Sequence, residues 1–219
     1  MGMFLREPMM AQGEDVRCAD MKQTERPAYL TQKREEENTK NIGREEGGMS
    51  ETPRVHQIIN LLCPDGLDFV PEGCLERGAR LHEAVEIWIN NQIYGYTNES
   101  DIPQEVLPVI EWFSGQGVEF HGTEERLTHS LGFCGTPDIL CRWKGVDYWI
   151  DLKFSESITL ANRLQGTAYC YLTGRKGLFL QCNREGQVKA VKCKPNAALW
   201  SAFLSGLNVW KFLHRKAVA

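Results

Sequence analysis

Apolar positions in the first half of the chain repeat with a helical period. In segment 54–62 they fall at positions 55, 58, 59 and 62. In segment 71–91 the apolar positions are Leu75, Leu81, Val85, Trp88 and Ile89. Residues three and four apart share one face of a helix, so each segment predicts an amphipathic helix. Residues 103–113 predict a third and shorter helix.

An alternating pattern replaces this period from residue 118 onward and predicts strands. Segment 118–130 is the first, and segment 132–153 contains two apolar runs that flank Lys144-Gly145. A residue followed by Gly between two such runs is typical of a tight hairpin turn. A two-residue loop pairs Trp143 with Val146. The same register places Asp138 directly opposite Asp151.

Side chains alternate between the two faces of a strand, so the faces of this hairpin are predictable. One face is apolar and carries Ile139, Cys141, Trp143, Tyr148, Ile150, Leu152 and Phe154. The other carries Asp138, Asp151 and Lys153. Directly opposed carboxylates repel, because their Cβ atoms lie only about 4.5–5.5 Å apart. Bound Mg²⁺, which is commonly held by carboxylates, resolves that conflict. Two unrelated acids on a solvated face are the alternative.

The rest of the chain adds two helices and a second hairpin. Segment 159–173 is a predicted helix whose buried stripe is Leu160, Leu164, Ala168, Tyr171 and Leu172. Segments 178–182 and 187–193 alternate around a turn at 183–186. The last helix begins at Pro195 and turns Leu199, Phe203, Leu207 and Trp210 toward the core. This order of elements predicts an α/β fold with a mixed central sheet flanked by helices.

The hairpin resembles a known family. Pro137-Asp138, followed after twelve residues by Asp151-Leu152-Lys153, is similar to the PD-(D/E)xK nuclease signature. The preceding segment 132–136 resembles the glycine-rich lead-in of the branch that contains RecB-like nucleases, Cas4 and phage recombination exonucleases. The resemblance implies a restriction-endonuclease-like core. It also implies that Asp138, Asp151 and the Leu152 carbonyl hold Mg²⁺ or Mn²⁺, and that Lys153 orients the nucleophile.

Two upstream segments extend the resemblance. Segment 77–85 is similar to the helix in RecB-like nucleases whose histidine reaches the metal, which implies this role for His82. Glu124 matches the upstream glutamate of the family better than Glu125, which remains the competitor. Taken without the family, a lone histidine on an apolar stripe is usually a packed core residue. Likewise, Glu124 and Glu125 alone indicate only a pair of surface acids.

A downstream helix completes the resemblance. Gln165 and Tyr169 lie one helical turn apart. They resemble the Q-x-x-x-Y element of the same branch, which lies near the DNA. On spacing alone, a helix-surface position is the simpler interpretation of this pair.

The resemblance implies metal-dependent hydrolysis of DNA phosphodiester bonds. An exonuclease of recombination, repair or phage DNA processing fits better than a restriction endonuclease, because RecB-like elements surround the hairpin. Two alternatives remain open. One is a DNA-binding member without catalysis. The other is a subunit whose nuclease fold mainly contacts a partner, such as a helicase or a single-strand annealing protein.

Charge is distributed unevenly along the chain. Residues 175–219 contain nine Lys or Arg and one acidic residue, whereas residues 51–174 contain eight Lys or Arg and eighteen acidic residues. An acidic body around a metal site, beside a basic C-terminal region, suits a polyanionic substrate. The alternative is a solvated basic face.

Eight cysteines are present and none forms a C-x-x-C pair. We interpret them as buried thiols of a cytoplasmic protein and expect neither a disulfide framework nor an iron–sulfur cluster. No apolar run approaches the roughly 20 residues that span a membrane, and the N-terminus lacks the apolar segment of a signal peptide. We therefore expect the protein in the cytoplasm of a bacterial or phage-infected cell.

Residues 1–50 are polar and lack hydrophobic periodicity, which predicts disorder or a segment outside the core. Arg44-Glu-Glu-Gly-Gly precedes Met49, and the codons for Glu-Glu-Gly-Gly can contain a purine-rich ribosome-binding sequence. Met49 is therefore a candidate start. Residues 51–219 are predicted to form a single nuclease domain.

Overall fold

Helices lead the chain, and strands follow in two groups. The computed structural model describes residues 52–64, 72–95 and 102–215, which fall within one unit, Ser50–Ala219. The helices are α1 (Val55–Leu62), α2 (Glu72–Tyr94), α3 (Leu107–Gln116, preceded by a 3-10 turn at Gln104–Val106), α4 (Leu160–Thr173) and α5 (Ala197–Leu213). The predictions for residues 1–50 and for a helix start at Pro71 lie outside the described residues.

Seven strands form two sheets. The strands are β1 (Glu119–Thr123), β2 (Leu127–His129), β3 (Phe133–Gly135), β4 (Ile139–Trp143), β5 (Val146–Lys153), β6 (Lys176–Cys182) and β7 (Val188–Cys193). The main sheet has the order β1-β4-β5-β6-β7, and β2 pairs with β3 separately. Only the β5–β6 pair of the main sheet is parallel, because α4 crosses over between these strands. The α/β class with a mixed sheet flanked by helices is confirmed.

The predicted hairpin is confirmed with its register. Trp143 pairs with Val146, and the ladder extends to Ile139 and Ile150. Lys144 and Gly145 both have positive φ angles, 51° and 73°. Two consecutive left-handed residues are typical of the two-residue turn that matches the twist of the strands.

Each face of the main sheet packs against helices. Helices α2 and α3 cover one face, whose buried core includes Leu81, Val85, Phe113, Ile139, Cys141, Ile150 and Leu152. Helices α1, α4 and α5 contribute to the core on the other face, which includes Ile58, Leu140, Trp149, Ala168, Phe179, Phe203 and Leu207. The second face is therefore not solvated, and the acids of the hairpin lie between two cores.

Three predictions about elements are wrong. Segment 118–130 is not one strand: Glu124 has φ of 50°, and this left-handed residue separates β1 from β2. The predicted stripe of α4 is confirmed at Leu164 and Ala168, which are 3% and 0% exposed, but it is wrong at Leu160 and Tyr171, which are 58% and 40% exposed. Tyr169, only 5% exposed, is buried instead. Leu75, on the first turn of α2, is 52% exposed.

The remaining helices and the second hairpin agree with the sequence. Helix α1 buries Val55, Ile58 and Ile59, and α5 buries Phe203, Leu207 and Trp210. The cysteines of the described ranges are free, but Cys74 is exposed, so its prediction as a buried thiol is wrong. Within the described ranges, no helix has both the length and the apolar character that crossing a bilayer requires.

Candidate functional site

Acidic side chains meet where β4 begins and β5 ends. Asp138 immediately precedes β4 and lies one position beyond the last ladder pair, Ile139–Ile150. Its Oδ2 accepts a hydrogen bond of 2.7 Å from the backbone N–H of Leu152. Asp151 lies next to Leu152 in β5. The hairpin register therefore brings the two carboxyl groups to the same end of the sheet.

Asp151 and Lys153 form an ion pair inside the protein. Asp151 is 1% exposed, and its Oδ2 lies 2.5 Å from Lys153 Nζ. Burial raises the pKa of Asp151 to about 6; Lys153 opposes that rise and the charge of Asp138 adds to it. Burial alone lowers the pKa of Lys153, but the attraction of Asp151 and Asp138 outweighs it, so the net pKa is raised. Lys153 therefore carries its charge at neutral pH.

Helix α2 supplies an imidazole to the same place. His82 Nδ1 lies 3.2 Å from Asp138 Oδ2, and the ring meets Phe154 edge-on at 5.5 Å between centroids. Burial favours the neutral ring, but the charge and hydrogen bond of Asp138, together with Asp151, raise the pKa of His82 overall. The structure thus brings His82 together with both acids.

Glu124 enters the site from the kink after β1. Its backbone N–H donates to the Asp138 carbonyl at 3.0 Å, which fixes the kink beside the acid. Burial raises the pKa of Glu124 to about 8, and the negative charges of Asp138 and Glu86 add to the rise. Glu125 is exposed and its side chain covers the Cα of Gly122 instead. Glu124 is therefore the glutamate that faces the site.

Glu86 is a site residue that sequence reasoning missed. It lies one helical turn after His82 in α2, on the same face, and its charge acts on Glu124. Asn90, one turn further, accepts a hydrogen bond of 3.0 Å from Thr123 at the end of β1. The signal was available, because residues four apart in a helix are neighbours. His82, Glu86 and Asn90 thus form one row along α2, and this row faces the kink that follows β1.

A hydrogen-bond chain connects Lys153 to the segment before Asp138. Lys153 Nζ donates to Gln165 Oε1 at 3.1 Å, and Gln165 Nε2 donates to the Tyr169 hydroxyl at 3.3 Å. The Tyr169 hydroxyl donates to the Thr136 carbonyl at 3.0 Å. Both α4 residues predicted to bind DNA therefore lie at the site, and they contact the protein itself.

The donor set fits a divalent cation in its chemistry. Carboxylates, a backbone carbonyl and an imidazole are ligands of Mg²⁺ and Mn²⁺. Burial, and after it the negative charges of Asp138 and Asp151, raise the pKa of Glu124. Added positive charge would relieve the repulsion among these acids.

A basic group lies beside one oxygen, Oδ2, of each carboxylate. Lys153 faces Asp151, and His82 faces Asp138. Within the described ranges, no three His, Cys, Asp or Glu side chains are arranged to hold a metal ion.

These charges predict that the metal-free protein loses stability as pH rises. Glu124, with a pKa of about 8, and Asp151, with a pKa of about 6, bind protons in the fold that they release when unfolded. His82, with a raised pKa, acts in the same direction, whereas His56 and Cys170, with lowered pKa values, oppose them. The free energy of unfolding should fall by about 3 kcal/mol between pH 5 and 8.

Urea unfolding at several pH values in EDTA measures this slope. Glu124→Gln, which keeps the shape and removes the titration, should flatten most of it. Glu125→Gln is the matched control and should leave the slope intact. A stability that rises over the same pH range would contradict the assigned burial of Glu124.

Comparison with known proteins adds distant structural neighbours. No protein-family model matches the chain, and no curated protein matches it. It is similar to SSO0001 at 16% identity, covering 87% of this chain and 86% of that one, with a TM-score of 0.41. It is also similar to LHK-Exo, an alkaline exonuclease from Laribacter hongkongensis, at 12% identity over 73% and 86%, with a TM-score of 0.45.

A second structure of that exonuclease, in complex with dAMP, is similar at 14% identity over 74% of this chain and 87% of that one, with a TM-score of 0.45.

Proposed function

We propose that the chain is a Mg²⁺- or Mn²⁺-dependent deoxyribonuclease, and specifically an exonuclease, that hydrolyses DNA phosphodiester bonds. The observation that carries the proposal is the meeting of Asp138, Asp151 and Lys153 at one buried end of the sheet. Burying charged groups is costly even when they are paired, so such groups gather where chemistry requires them. The order of these residues in the sequence matches the PD-(D/E)xK signature.

Each residue has an assigned task. Asp138, Asp151 and the Leu152 carbonyl would hold the cation, with His82 and Glu124 completing its surroundings. The cation, when bound, lowers the pKa of a coordinated water and stabilises negative charge on the phosphate. Lys153, once released from Asp151, donates from Nζ to the nucleophile or to a phosphate oxygen.

Gln165 and Tyr169 act mainly by positioning. Tyr169 is 5% exposed and its hydroxyl holds the Thr136 carbonyl, so it fixes the segment that leads to Asp138. Gln165 holds Lys153 Nζ and is less buried than Tyr169. Of the two, Gln165 is the one that we propose reaches the DNA strand.

A cleavage assay on end-labelled single- and double-stranded DNA tests the proposal. The full chain is incubated with Mg²⁺, Mn²⁺ or EDTA, and the products are resolved by length. Progressive shortening in either metal, and none in EDTA, is the expected result. Intact DNA in both metals, from a folded protein that binds DNA, would overturn it.

The ion pair between Lys153 and Asp151 favours a second candidate. A carboxylate already neutralised by lysine needs no cation, as in a DNA-binding or partner-dependent subunit of the same fold. In that case the chain by itself does not hydrolyse DNA, or it does so only when a helicase or annealing protein is added. The same assay, repeated with and without such a partner, separates the two candidates.

The sheet register predicts a phosphate contact beyond the site. Lys153 pairs with Gln181, and Gln181 pairs with Lys189. Paired residues point to the same face, so exposed Lys189 lies on the face of Lys153, about 10 Å away across two strand spacings. Lys192 is equally exposed but points to the opposite face.

Lys189→Ala should weaken DNA binding and lower the slope of log affinity against log salt by about one. Lys192→Ala, the matched control, should change the slope much less. Fluorescence anisotropy in Ca²⁺ at several salt concentrations measures both. Equal effects of the two variants would mean that the DNA does not follow this face.

A further inference from the structure

Two free thiols face each other on the side of the sheet away from α2. Cys170 lies in α4 and is 6% exposed, whereas Cys193 ends edge strand β7 and is partly exposed. Both pack in the core that α4 shares with the sheet. Their side chains are within hydrogen-bonding reach of each other.

Glycines on both elements allow this approach. A Cβ on Gly166, one turn before Cys170 in α4, would lie only 2.6 Å from Cys193 Sγ. Gly177 pairs with Cys193 across the sheet, and a Cβ there would lie 2.9 Å from Cys193 Cβ. Because neither glycine carries a side chain, α4 lies close to β7 and Cys193 sits beneath the turn of Cys170.

The two sulfurs are chemically unequal. The hydrogen bond from Cys193 lowers the pKa of Cys170 against the opposing effect of burial. The same bond and burial raise the pKa of Cys193. Thiolates are the reactive form, and a sensitive cysteine commonly has a resolving cysteine beside it. Cys170 is thus the nucleophile that reacts first, and Cys193 is the resolving cysteine.

We propose that Cys170 and Cys193 form a reversible disulfide, a modification site that clamps α4 to β7. The Cys170 sulfur attacks a hydroperoxide and breaks its O–O bond, which gives a sulfenic acid and releases an alcohol or water. The Cys193 sulfur then attacks Cys170 and expels water. Two thiols are oxidised to one S–S bond, and one hydroperoxide is reduced.

The clamp acts on the helix that serves the site. Tyr169, which holds the Thr136 carbonyl, directly precedes Cys170 in the sequence. The S–S bond would close a chain segment from α4 through β6 and β7, and such a link restricts the unfolded chain. Formation of this link does not depend on the proposed nuclease activity.

Peroxide titration of the full, reduced chain tests the proposal. Small molar excesses of hydrogen peroxide are followed by alkylation under denaturing conditions, digestion and mass spectrometry. We expect a peptide pair linked through Cys170 and Cys193, with the loss of two hydrogen atoms, and its return to thiols with dithiothreitol. We expect the oxidised protein to melt about 6–12 °C higher.

Three variants serve as comparisons. Cys193→Ser and Cys170→Ser should each abolish the link, and Cys74→Ser, at an exposed cysteine, should leave it unchanged. If a variant at Cys170 or Cys193 does not fold, the mass-spectrometric mapping of the link in the unaltered chain decides the case. Thiols that stay reduced, links that use other cysteines, or a lower melting temperature in the linked form would overturn the proposal.

Discussion

Replacing Asp151 with Asn should lower the metal-dependent cleavage rate by about a thousandfold, because the amide removes a charged ligand worth several kcal/mol in the transition state. The change keeps the volume of a residue that is 1% exposed, so the fold should persist. Single-turnover rates on end-labelled DNA measure the loss. Calorimetric titration with Mn²⁺ should show weaker binding in the same variant.

Asp147 provides the matched control. It lies on β5 with the same side-chain direction as Asp151, but it is exposed and pairs with Arg142 at 2.9 Å. Asp147→Asn should leave the rate within about twofold, because a surface ion pair contributes little. Equal activity of Asp151→Asn and the unaltered protein would remove Asp151 from the chemistry.

The hairpin shows how much of this site can be predicted from sequence. Its turn is local, since Lys144-Gly145 adopts the left-handed geometry that such a pair favours. Once the turn is fixed, the side-chain period of two fixes every pair in the ladder. The approach of Asp138 to the end of β5 follows from that arithmetic, and no distant contact is needed.

Contacts between distant segments explain most of what was missed. Leu140 and Trp149 share the face of the acids and are buried, because α1 and α4 cover that face. The alternation of apolar and polar side chains within the hairpin does not indicate that helices cover this face. The kink at Glu124 depends on the Asp138 carbonyl, fourteen positions further along the chain, and no local residue type signals it.

The errors in the predicted stripe of α4 have the same origin. Gly166 lets the helix approach the Phe179 ring of β6 and Cys193 of β7, and Tyr169 packs against Trp149 of β5. Leu160 and Tyr171 are left exposed. A stripe chosen by hydrophobicity alone is therefore right at Leu164 and Ala168 and wrong at Leu160 and Tyr171, whereas the spacing of Gln165 and Tyr169 still identified the pair at the site.

Internal neutralisation gives the metal-free site its stability. Each acid of the hairpin's polar face has a basic neighbour, Lys153 for buried Asp151 and His82 for half-buried Asp138. In the proposed function, a divalent cation would compete with both basic groups, and its binding would be coupled to their release. The lysine would then be free to act on the nucleophile once a cation had replaced it at Asp151.

Lys153→Met should therefore separate stability from metal affinity. Without metal, the variant leaves Asp151 buried and unpaired, and it should lose about 3 kcal/mol of unfolding free energy. The double variant Asp151→Asn with Lys153→Met should recover most of that loss, which a double-mutant cycle by urea unfolding measures. Lys189→Met, the same change at an exposed position on the same row, should cost little.

The same variant should bind Mn²⁺ more tightly while cleaving no DNA. Removing a positive charge and a competitor from Asp151 favours the cation by about tenfold or more, yet the Nζ that acts on the nucleophile is gone. Calorimetry and the cleavage assay measure the two effects in one protein. If the Mn²⁺ affinity of Lys153→Met falls along with its cleavage rate, then Lys153 supports the cation and does not compete with it. That result would contradict the proposal that the metal replaces the lysine at Asp151.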